Sequence, residues 1–297
     1  MKFDVVCFGS AMIDAFMETN TLEEKGHLMI PYGCKQLLKS LSFEVGGGGT
    51  NTSVAFSRLG LKTGYIGKIG NDQNGKSIEE ILKKENISFI GKKINGKTSG
   101  FSAVLISKNH YRSILAYKGI NDEISKKDLI NFETKWLYLS SMMGKSLKTQ
   151  IELASILKKT GTKIVFNPSE YLIKSSNLNK IIGLSDVLIL NKEEAGFLTE
   201  RKNKLRAISD MGPKTVVITD AEKTVYCYSD GKFYSRKPRK IRVVDRTGAG
   251  DAFSAGFIAG LIKEKSIDFC MKLGIKEAKG VIKNVGAKNG LIRMKLK

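Results

Sequence analysis

Asp245-Arg246-Thr247-Gly248-Ala249-Gly250-Asp251 is the most informative stretch of this 297-residue chain. An extended segment, 240–244, leads into it, and the apolar sequence 252–262 that follows predicts a helix. Small residues at a helix start leave backbone N–H groups uncovered, with the positive end of the helix dipole behind them. The amides of Gly248, Ala249 and Gly250 are therefore predicted to form an anion hole that accepts phosphate charge.

Asp251 falls in the first turn of the same predicted helix. A carboxylate beside an anion hole is unfavourable for binding alone, because two negative groups repel each other. The pairing makes sense if Asp251 removes a proton from a hydroxyl that then attacks the phosphate, so we predict it as a general base. The alternative from these residues alone is a glycine turn capped by an aspartate.

Length and composition are those of a globular protein with one large α/β domain, or such a domain with a small appendage. The longest apolar stretch, 248–262, contains Asp251 and many small residues, so no membrane span is expected. The four cysteines lie far apart, without a CxxC pair and without clustering with the two histidines. This spacing predicts neither disulfides nor a zinc site, and we expect a cytoplasmic protein.

The net charge of +21 is spread along the chain, and 236–242 is the one dense basic cluster. Nucleic-acid-binding proteins concentrate basic groups on one face and interleave aromatic residues for stacking. We therefore do not expect nucleic acid as a partner. A general positive field would still attract an anionic nucleotide.

Strand-like and helix-like segments alternate along most of the chain. The predicted strands are 3–9, 63–69, 135–140, 163–167, 187–190 and 214–219, and the predicted helices are 52–59, 75–85, 147–159, 192–198, 252–262 and 266–284. Short β-branched strands between amphipathic helices indicate a mostly parallel sheet with helices on both faces.

Two stretches break this alternation. Residues 15–45 hold strand-like pieces at 16–18, 28–30 and 42–45, and 99–107 with 111–117 predicts a hairpin. We expect 15–45 and 96–121 to form a small β-sheet lid over a cleft, and 1–14, 46–95 and 122–297 to form the α/β core. Exposed strand edges on the lid make a homodimer through it a hypothesis.

Two glycine-containing loops have the composition of ligand-binding loops. Gly46-Gly47-Gly48-Gly49-Thr50-Asn51 opens a helix, and its backbone could approach a ligand closely while Asn51 binds a polyol; a flexible hinge is the alternative. The sequence 70–77 matches the phosphate-binding pattern GxxxxGK[ST]. Asp72 would lie where the phosphates bind, so we do not interpret this match as a nucleotide site.

Carboxylate and amide side chains follow two other predicted strands. Asn191 and Glu194 share one side of a helix start, where they could hold Mg²⁺ through waters; a capping box is the alternative. Asp14 lies beyond the first strand, where open parallel sheets bind ligands, although a turn residue is the alternative.

Together these motifs resemble the PfkB/ribokinase family of carbohydrate and nucleoside kinases, in order and over nearly the whole chain. The resemblance is carried by 9–14, 46–60, 67–75, 191–194 and 245–253, and the segment 67–75 is similar to the family's GxDxxG motif. It implies a Rossmann-like ribokinase fold with a β-lid, ATP as phosphate donor with Mg²⁺, and phosphorylation of a sugar hydroxymethyl group.

The resemblance also implies roles for single residues. By position, Asp251 is the base and 248–250 the anion hole, while Asp14, Gly46, Gly47 and Asn51 bind the acceptor. Asn191, Glu194, Thr219 and Asn284 bind the nucleotide and its Mg²⁺. The backbone around Asp245 and Thr247, with the loop 286–288, forms a site for a monovalent cation such as K⁺.

Two departures keep alternatives open. The family's TxGxxG segment is Thr219-Asp220-Ala221-Glu222-Lys223-Thr224 in this chain, without either glycine. Arg246 stands where the family has a small or apolar residue, so it either adds a cation near the phosphates or faces solvent. A nucleoside kinase of the same family, or a sugar-binding regulator with a weakened active site, are the alternative functions.

Overall fold

The computed structural model describes residues 1–109 and 111–296, so that His110, one of the two histidines, lies outside the described residues. Its strands are, in chain order, β1 (Lys2–Phe8), β2 (Met12–Glu18), β3 (Leu22–Glu24), β4 (His27–Met29), β5 (Ser40–Gly46), β6 (Thr63–Ile66), β7 (Lys68–Gly70), β8 (Ser88–Phe89), β9 (Lys92–Ile94), β10 (Gly100–Ile106), β11 (Arg112–Tyr117), β12 (Glu133–Ser140), β13 (Lys163–Asn167), β14 (Val187–Asn191), β15 (Thr215–Thr219), β16 (Val225–Ser229) and β17 (Lys232–Arg236). Its helices are α1 (Gly48–Arg58), α2 (Gln73–Lys84), α3 (Gly144–Lys159), α4 (Glu170–Ser175), α5 (Asn179–Leu184), α6 (Lys192–Leu198), α7 (Lys204–Ser209), α8 (Ala249–Ile262) and α9 (Ile267–Val281).

The main sheet has the strand order β17-β16-β15-β14-β13-β12-β1-β6-β8 over the described residues. Its strands are parallel from β15 to β8, and only β16 and β17 pair antiparallel at one edge. Successive side chains of a strand face opposite sides, so β1 sends Val5 and Cys7 into one apolar cluster and Val6 and Phe8 into the other. The helices α1, α8 and α9 cover the first of these faces.

A second, four-stranded sheet has the order β11-β10-β2-β5. The strand β2 pairs parallel with β10 and antiparallel with β5. A three-residue link joins β1 to β2, and β5 runs almost directly into α1. The start of β2 and the end of β5 therefore lie beside the carboxyl end of β1. The first segment of this sheet reaches from Met12 to Gly46, slightly beyond the expected limits of 15 and 45, and β10 and β11 lie within the expected 96–121.

Most expected elements are present, including the predicted hairpin, which forms β10 and β11. One expectation was wrong. The single strand expected at 63–69 is two strands, because β6 stays in the main sheet while β7 leaves it to pair with β9. The strand-like piece at 28–30 corresponds to β4, which pairs with β3 in a separate two-stranded ribbon, and the segment 240–244 belongs to neither a helix nor a strand.

Within the described residues, the longest apolar helices fall short of what a bilayer crossing requires. The four cysteines are free thiols, and Cys7, Cys227 and Cys270 are buried.

Candidate active site

A cavity of about 380 Å³ opens at the carboxyl ends of the parallel strands of the main sheet. This is the edge where open α/β sheets bind their ligands. Its lining includes the predicted site residues Gly47, Asn191, Glu194, Thr219, Gly248, Gly250 and Asp251. Gly48, Ser10, Ser140, Ser141 and Asn167, which were not predicted as site residues, line it as well.

The three amides predicted to form an anion hole lie at the start of α8. The N–H of Ala249 donates to the carbonyl of Arg246 at 3.2 Å, so this amide is already engaged. Within the described part of the chain, the N–H groups of Gly248 and Gly250 have no protein acceptor. These two amides, with the helix dipole behind them, are the donors available to an anion in the cavity.

Gly248 could not be another residue without disturbing this loop. Its φ of 73° is left-handed, and a Cβ built on it would lie 2.3 Å from the Cβ of Ala287. The glycine thus lets the loop before α8 pack directly against the loop 286–288.

Asp251 lies in the first turn of α8 and is partly buried. Its Oδ2 accepts a hydrogen bond from Nδ2 of Asn51 at 2.8 Å, across 200 positions of sequence. Burial raises the pKa of the Asp251 carboxyl, and the charge of Asp14 adds to the rise, whereas the Asn51 bond and the charge of Lys288 oppose it. A raised pKa makes this carboxylate a better proton acceptor near neutral pH.

Lys288 holds the other end of the Asn51 amide. Its buried ammonium donates to Oδ1 of Asn51 at 2.5 Å, to Oγ1 of Thr50 at 3.2 Å and to the carbonyl of Val45. All three N–H groups are therefore used within the protein. Burial lowers the pKa of Lys288 to about 8, although nearby carboxylates, including Asp14 and Asp251, oppose the shift.

Asp14 and Gly46 are neighbours on the small sheet. A Cβ on Gly46 would lie 1.8 Å from Oδ2 of Asp14, so the glycine makes room for the carboxylate. Burial raises the pKa of Asp14, while the hydroxyl of Ser102, its cross-strand neighbour, and the charge of Lys288 lower it. The two residues predicted for the acceptor thus lie next to each other, close to the Lys288 ammonium.

Asn191 and Glu194 form the capping box that was the alternative for this pair. Oδ1 of Asn191 accepts from the Glu194 N–H at 2.8 Å, and Oε2 of Glu194 accepts from the Asn191 N–H at 2.7 Å. Both residues still line the cavity. Burial, with the negative charges of Glu170 and Asp251, raises the pKa of Glu194 to about 7.

A divalent cation fits this arrangement through waters but not through a protein cage. No group of three or more His, Cys, Asp or Glu residues is placed to ligate a metal within 1–109 and 111–296. Mg²⁺ keeps several waters and needs few carboxylates. Since the carboxylates of Glu194 and Asp251 repel each other at the cavity wall, a cation between them would reduce this repulsion.

The nucleotide-side loop keeps its turn without the family's glycines. Ala221 takes the left-handed φ of 45°, a conformation that costs a non-glycine residue about 1 kcal/mol. Thr219 lines the cavity just before this turn. Arg246 reaches over to Glu222, with Nη2 3.4 Å from Oε2, and its side chain is 60% exposed, so it faces solvent and not the cavity.

Two further sequence predictions have clear locations. Asn284 follows α9 and donates from Nδ2 to the carbonyl of Gly280 at 3.1 Å, outside the lining of the cavity. Asp72 caps α2 and accepts from the N–H of Gly75 at 2.8 Å and from Ser99. Its carboxylate therefore takes the place that a phosphate would need in the GxxxxGK[ST] match.

The residues expected to bind a monovalent cation are instead bound to an arginine. The guanidinium of Arg112, on β11, contacts Oδ1 of Asp245 and lies 2.5 Å from Oγ1 of Thr247. Oδ1 of Asp245 also accepts from the N–H and hydroxyl of Thr247, and Oδ2 accepts from the Gly286 N–H at 3.0 Å. The side chains present here therefore do not fit an additional K⁺.

Sequence reasoning missed Arg112, Asn167 and the role of Lys288. The resemblance implies only that Lys288 belongs to the loop 286–288, and its sequence neighbours do not reveal that its ammonium is buried. Ser140 also lines the cavity, and its hydroxyl is buried and has no hydrogen-bond partner among the described residues.

Comparison with known proteins identifies the family of this chain. Residues 2–293 match the family described as "pfkB family carbohydrate kinase". The chain belongs to the pfkB family of carbohydrate kinases. It is 30% identical to ribokinase from Haemophilus influenzae over 281 residues, which cover 89% of this chain and 90% of the relative. It is 31% identical to a 5-dehydro-2-deoxygluconokinase from Clostridium perfringens over 290 residues, with 88% and 82% covered.

Solved structures show the same fold. Adenosine kinase from Sinorhizobium meliloti superposes with a TM-score of 0.83 at 21% identity, covering 99% of this chain and 97% of that one. Arabidopsis thaliana ribokinase, complexed with ribose and ATP, gives 0.79 at 22% identity, covering 97% and 95%. The predicted family, the ribokinase fold and the class of ATP-dependent sugar kinase are confirmed. The roles of individual residues stay predictions.

Proposed function

We propose that this pfkB family kinase transfers the γ-phosphoryl group of ATP to a hydroxymethyl group of a monosaccharide or sugar acid, with Asp251 as general base. The observation that carries the proposal is the meeting of two features in one cavity: the Asp251 carboxylate and the unengaged amides of Gly248 and Gly250. Phosphoryl transfer needs positioning and charge stabilisation more than covalent chemistry. These groups supply both.

The reaction balances with these groups alone. Asp251 accepts the proton of the sugar hydroxyl as the hydroxyl oxygen forms a bond to the γ-phosphorus. The bond from that phosphorus to the β,γ-bridging oxygen breaks, and ADP leaves. The amides of Gly248 and Gly250 stabilise the negative charge on the transferring group. Asn51 keeps one Asp251 oxygen occupied, so the other is the one that faces the acceptor hydroxyl.

Asp14, Gly46, Gly47 and Asn51 are the proposed acceptor site. Carboxylate and amide groups bind the hydroxyls of a polyol, and Asp14 is held in the small sheet with its carboxylate beside Gly46. The acceptors named for the two sequence relatives described above are sugars or sugar derivatives. We therefore place a sugar ahead of a nucleoside as the acceptor.

On the donor side, Thr219 and Asn284 are proposed to border the nucleotide, and Asn191 with Glu194 to hold Mg²⁺ through waters. When bound, Mg²⁺ neutralises phosphate charge and orients the β- and γ-phosphates. Glu194 has a pKa of about 7, so a neighbouring cation would favour its ionised form. K⁺ at Asp245 and Thr247 is not part of the proposal, because Arg112 contacts both side chains.

We further propose that the small sheet is the lid, with 15–45 and 96–121 as its segments, and that it forms a homodimer interface. Large apolar side chains on its strands are exposed: Leu41 by 51%, Phe43 by 60%, Leu115 by 64% and Tyr117 by 60%. A second copy would cover them. A monomeric mass in light scattering at micromolar concentration would refute this interface. Free, mostly buried cysteines support the expected cytoplasmic location.

A substrate panel tests the function. The purified chain is assayed for ADP release from MgATP with pentoses, hexoses, keto-deoxy sugar acids and nucleosides. We expect turnover with at least one sugar or sugar acid and none of comparable kcat/KM with a nucleoside. Preference for a nucleoside would overturn the acceptor assignment. Thermal stabilisation by a sugar with no turnover on the whole panel would instead indicate a sugar-binding regulator.

A further inference from the structure

Arg112 lies on the small sheet, but its guanidinium reaches the loop that precedes the proposed anion hole. It is the first residue of β11, paired with Ile106 of β10. Its guanidinium contacts both Asp245 and Thr247, two of the three residues that precede Gly248. The Asp245 side chain is 7% exposed and that of Arg112 is 27% exposed, so the ion pair is largely shielded from solvent.

The Asp245 carboxylate has no need of another cation. Its oxygens accept from Arg112, from the N–H and hydroxyl of Thr247, and from the N–H of Gly286. Four donors satisfy nearly all of its lone-pair sites. These contacts, with the Arg112 charge, hold the pKa of Asp245 below its usual value although burial opposes them.

We propose that Arg112 is a built-in cation at this position, which makes the kinase independent of K⁺ and couples the lid to the anion-hole loop. The proposal rests on the proposed function for its kinetic part only. A fixed guanidinium supplies the positive charge and the oxygen contacts that a bound monovalent ion would supply. Because β11 carries it, this charge is in place when the small sheet lies against the core.

The coupling follows from the chain path. The Asp245 carboxylate joins Arg112 to the N–H of Gly286, and Ala287 packs against Gly248. Loss of the guanidinium therefore leaves a shielded carboxylate without its cation, directly beside the loop whose amides bind phosphate. Arg112 is thus a positioning residue, which acts through Asp245 and Thr247.

The test compares wild type, Arg112→Ala, Arg112→Lys and a control, Arg201→Ala, whose arginine is 75% exposed. Thermal midpoints are measured without nucleotide in equal concentrations of KCl, NaCl and choline chloride, so this reading does not depend on turnover. ADP release with the best acceptor of the panel is then measured in the same three salts.

We expect wild type and Arg201→Ala to have the same midpoint and rate in all three salts. Arg112→Ala should lose about tenfold or more in kcat in choline chloride and regain a large part of it in KCl. Its midpoint should rise in KCl specifically. Arg112→Lys, which keeps a positive charge, should stay insensitive to K⁺ and folds even if the alanine variant does not.

A K⁺-specific rise of the wild-type midpoint would overturn the proposal, as would an Arg112→Ala protein that responds equally to all three salts. Absence of turnover on every acceptor would contradict the proposed function instead, and the midpoint comparison would still decide whether Arg112 replaces the ion.

Discussion

Replacement of Lys288 by methionine removes the buried cation behind the proposed base and keeps the length of the side chain. The ammonium orients the Asn51 amide, whose other end donates to Asp251 at 2.8 Å. A hydrogen bond to a charged group contributes about 1.5–3 kcal/mol. Loss of that orientation should therefore lower kcat by about 10- to 150-fold. Lys148→Met, on the exposed face of α3, is the matched control and should leave kcat unchanged.

The pH dependence gives a second, independent reading of the same change. Since the pKa of Lys288 is about 8, its third N–H is lost as the pH rises through that value, and wild-type kcat should fall there. The Lys288→Met profile should lack this alkaline limb.

Stability should move in the opposite direction. Between pH 8 and 10.5 the unfolded chain binds the Lys288 proton and the folded chain does not, so the free energy of unfolding rises with pH in that window. Loss of activity above pH 8 is then not unfolding. Steady-state kinetics from pH 6.5 to 9.5, with urea denaturation at each pH, measures both. A Lys288→Met protein within about twofold of wild type, with the same alkaline limb, would refute the role.

Four other substitutions have definite expectations. Glu85→Gln removes the charge of a carboxylate that is 1% exposed and pairs with two arginines. The free energy of unfolding, measured by urea denaturation at pH 7, should therefore fall by about 3 kcal/mol. An unchanged midpoint would contradict this. Gly248→Ala puts an alanine in a left-handed conformation with its Cβ against Ala287, so kcat should fall at least about tenfold. Gly250→Ala, whose Cβ would meet no atom within 4 Å, should fold and bind ATP as wild type does. Equal kcat in both variants would refute the packing argument. Burial raises the pKa of Glu277 from 4.5 to about 7, so the stability of wild type relative to Glu277→Gln should fall as the pH rises from 4.5 to 7. At pH 8 the variant should be more stable than wild type by up to about 3 kcal/mol. The same difference between the two proteins in denaturation curves at pH 4.5 and at pH 8 would contradict this expectation.

Local patterns in the sequence were sufficient for the long elements of the core. The apolar stretch 252–262 predicted the buried helix α8, and the β-branched segments predicted the parallel strands. The helices α4, α5 and α7 have six residues each, which is too short for a 3.6-residue period to be recognised. The hairpin of β16 and β17 was also missed, although its Asp230-Gly231 turn is a recognised hairpin signal.

The candidate site could be located from the sequence where one motif contains the proposed chemistry, as in 245–251, and not where tertiary contacts bring residues together. Asn51 and Asp251 meet across two helix starts, and no local pattern encodes their hydrogen bond. Arg112 is an ordinary polar residue of a lid strand until the fold sets it against Asp245. The capping box of Asn191 and Glu194 is a different case, because one local motif both caps the start of α6 and lines the cavity.

The decisive measurement is the kcat of Asp251→Asn at saturating MgATP and acceptor, with the Kd for ATP measured in parallel. Asp268→Asn is the control, because Asp268 also lies in the first turn of a helix but is exposed on the surface. If Asp251 is the general base, its amide variant should lose about 10²–10⁴-fold in kcat and bind ATP as tightly as wild type. A kcat equal to that of wild type would show that another group removes the proton, and the proposed mechanism would be wrong.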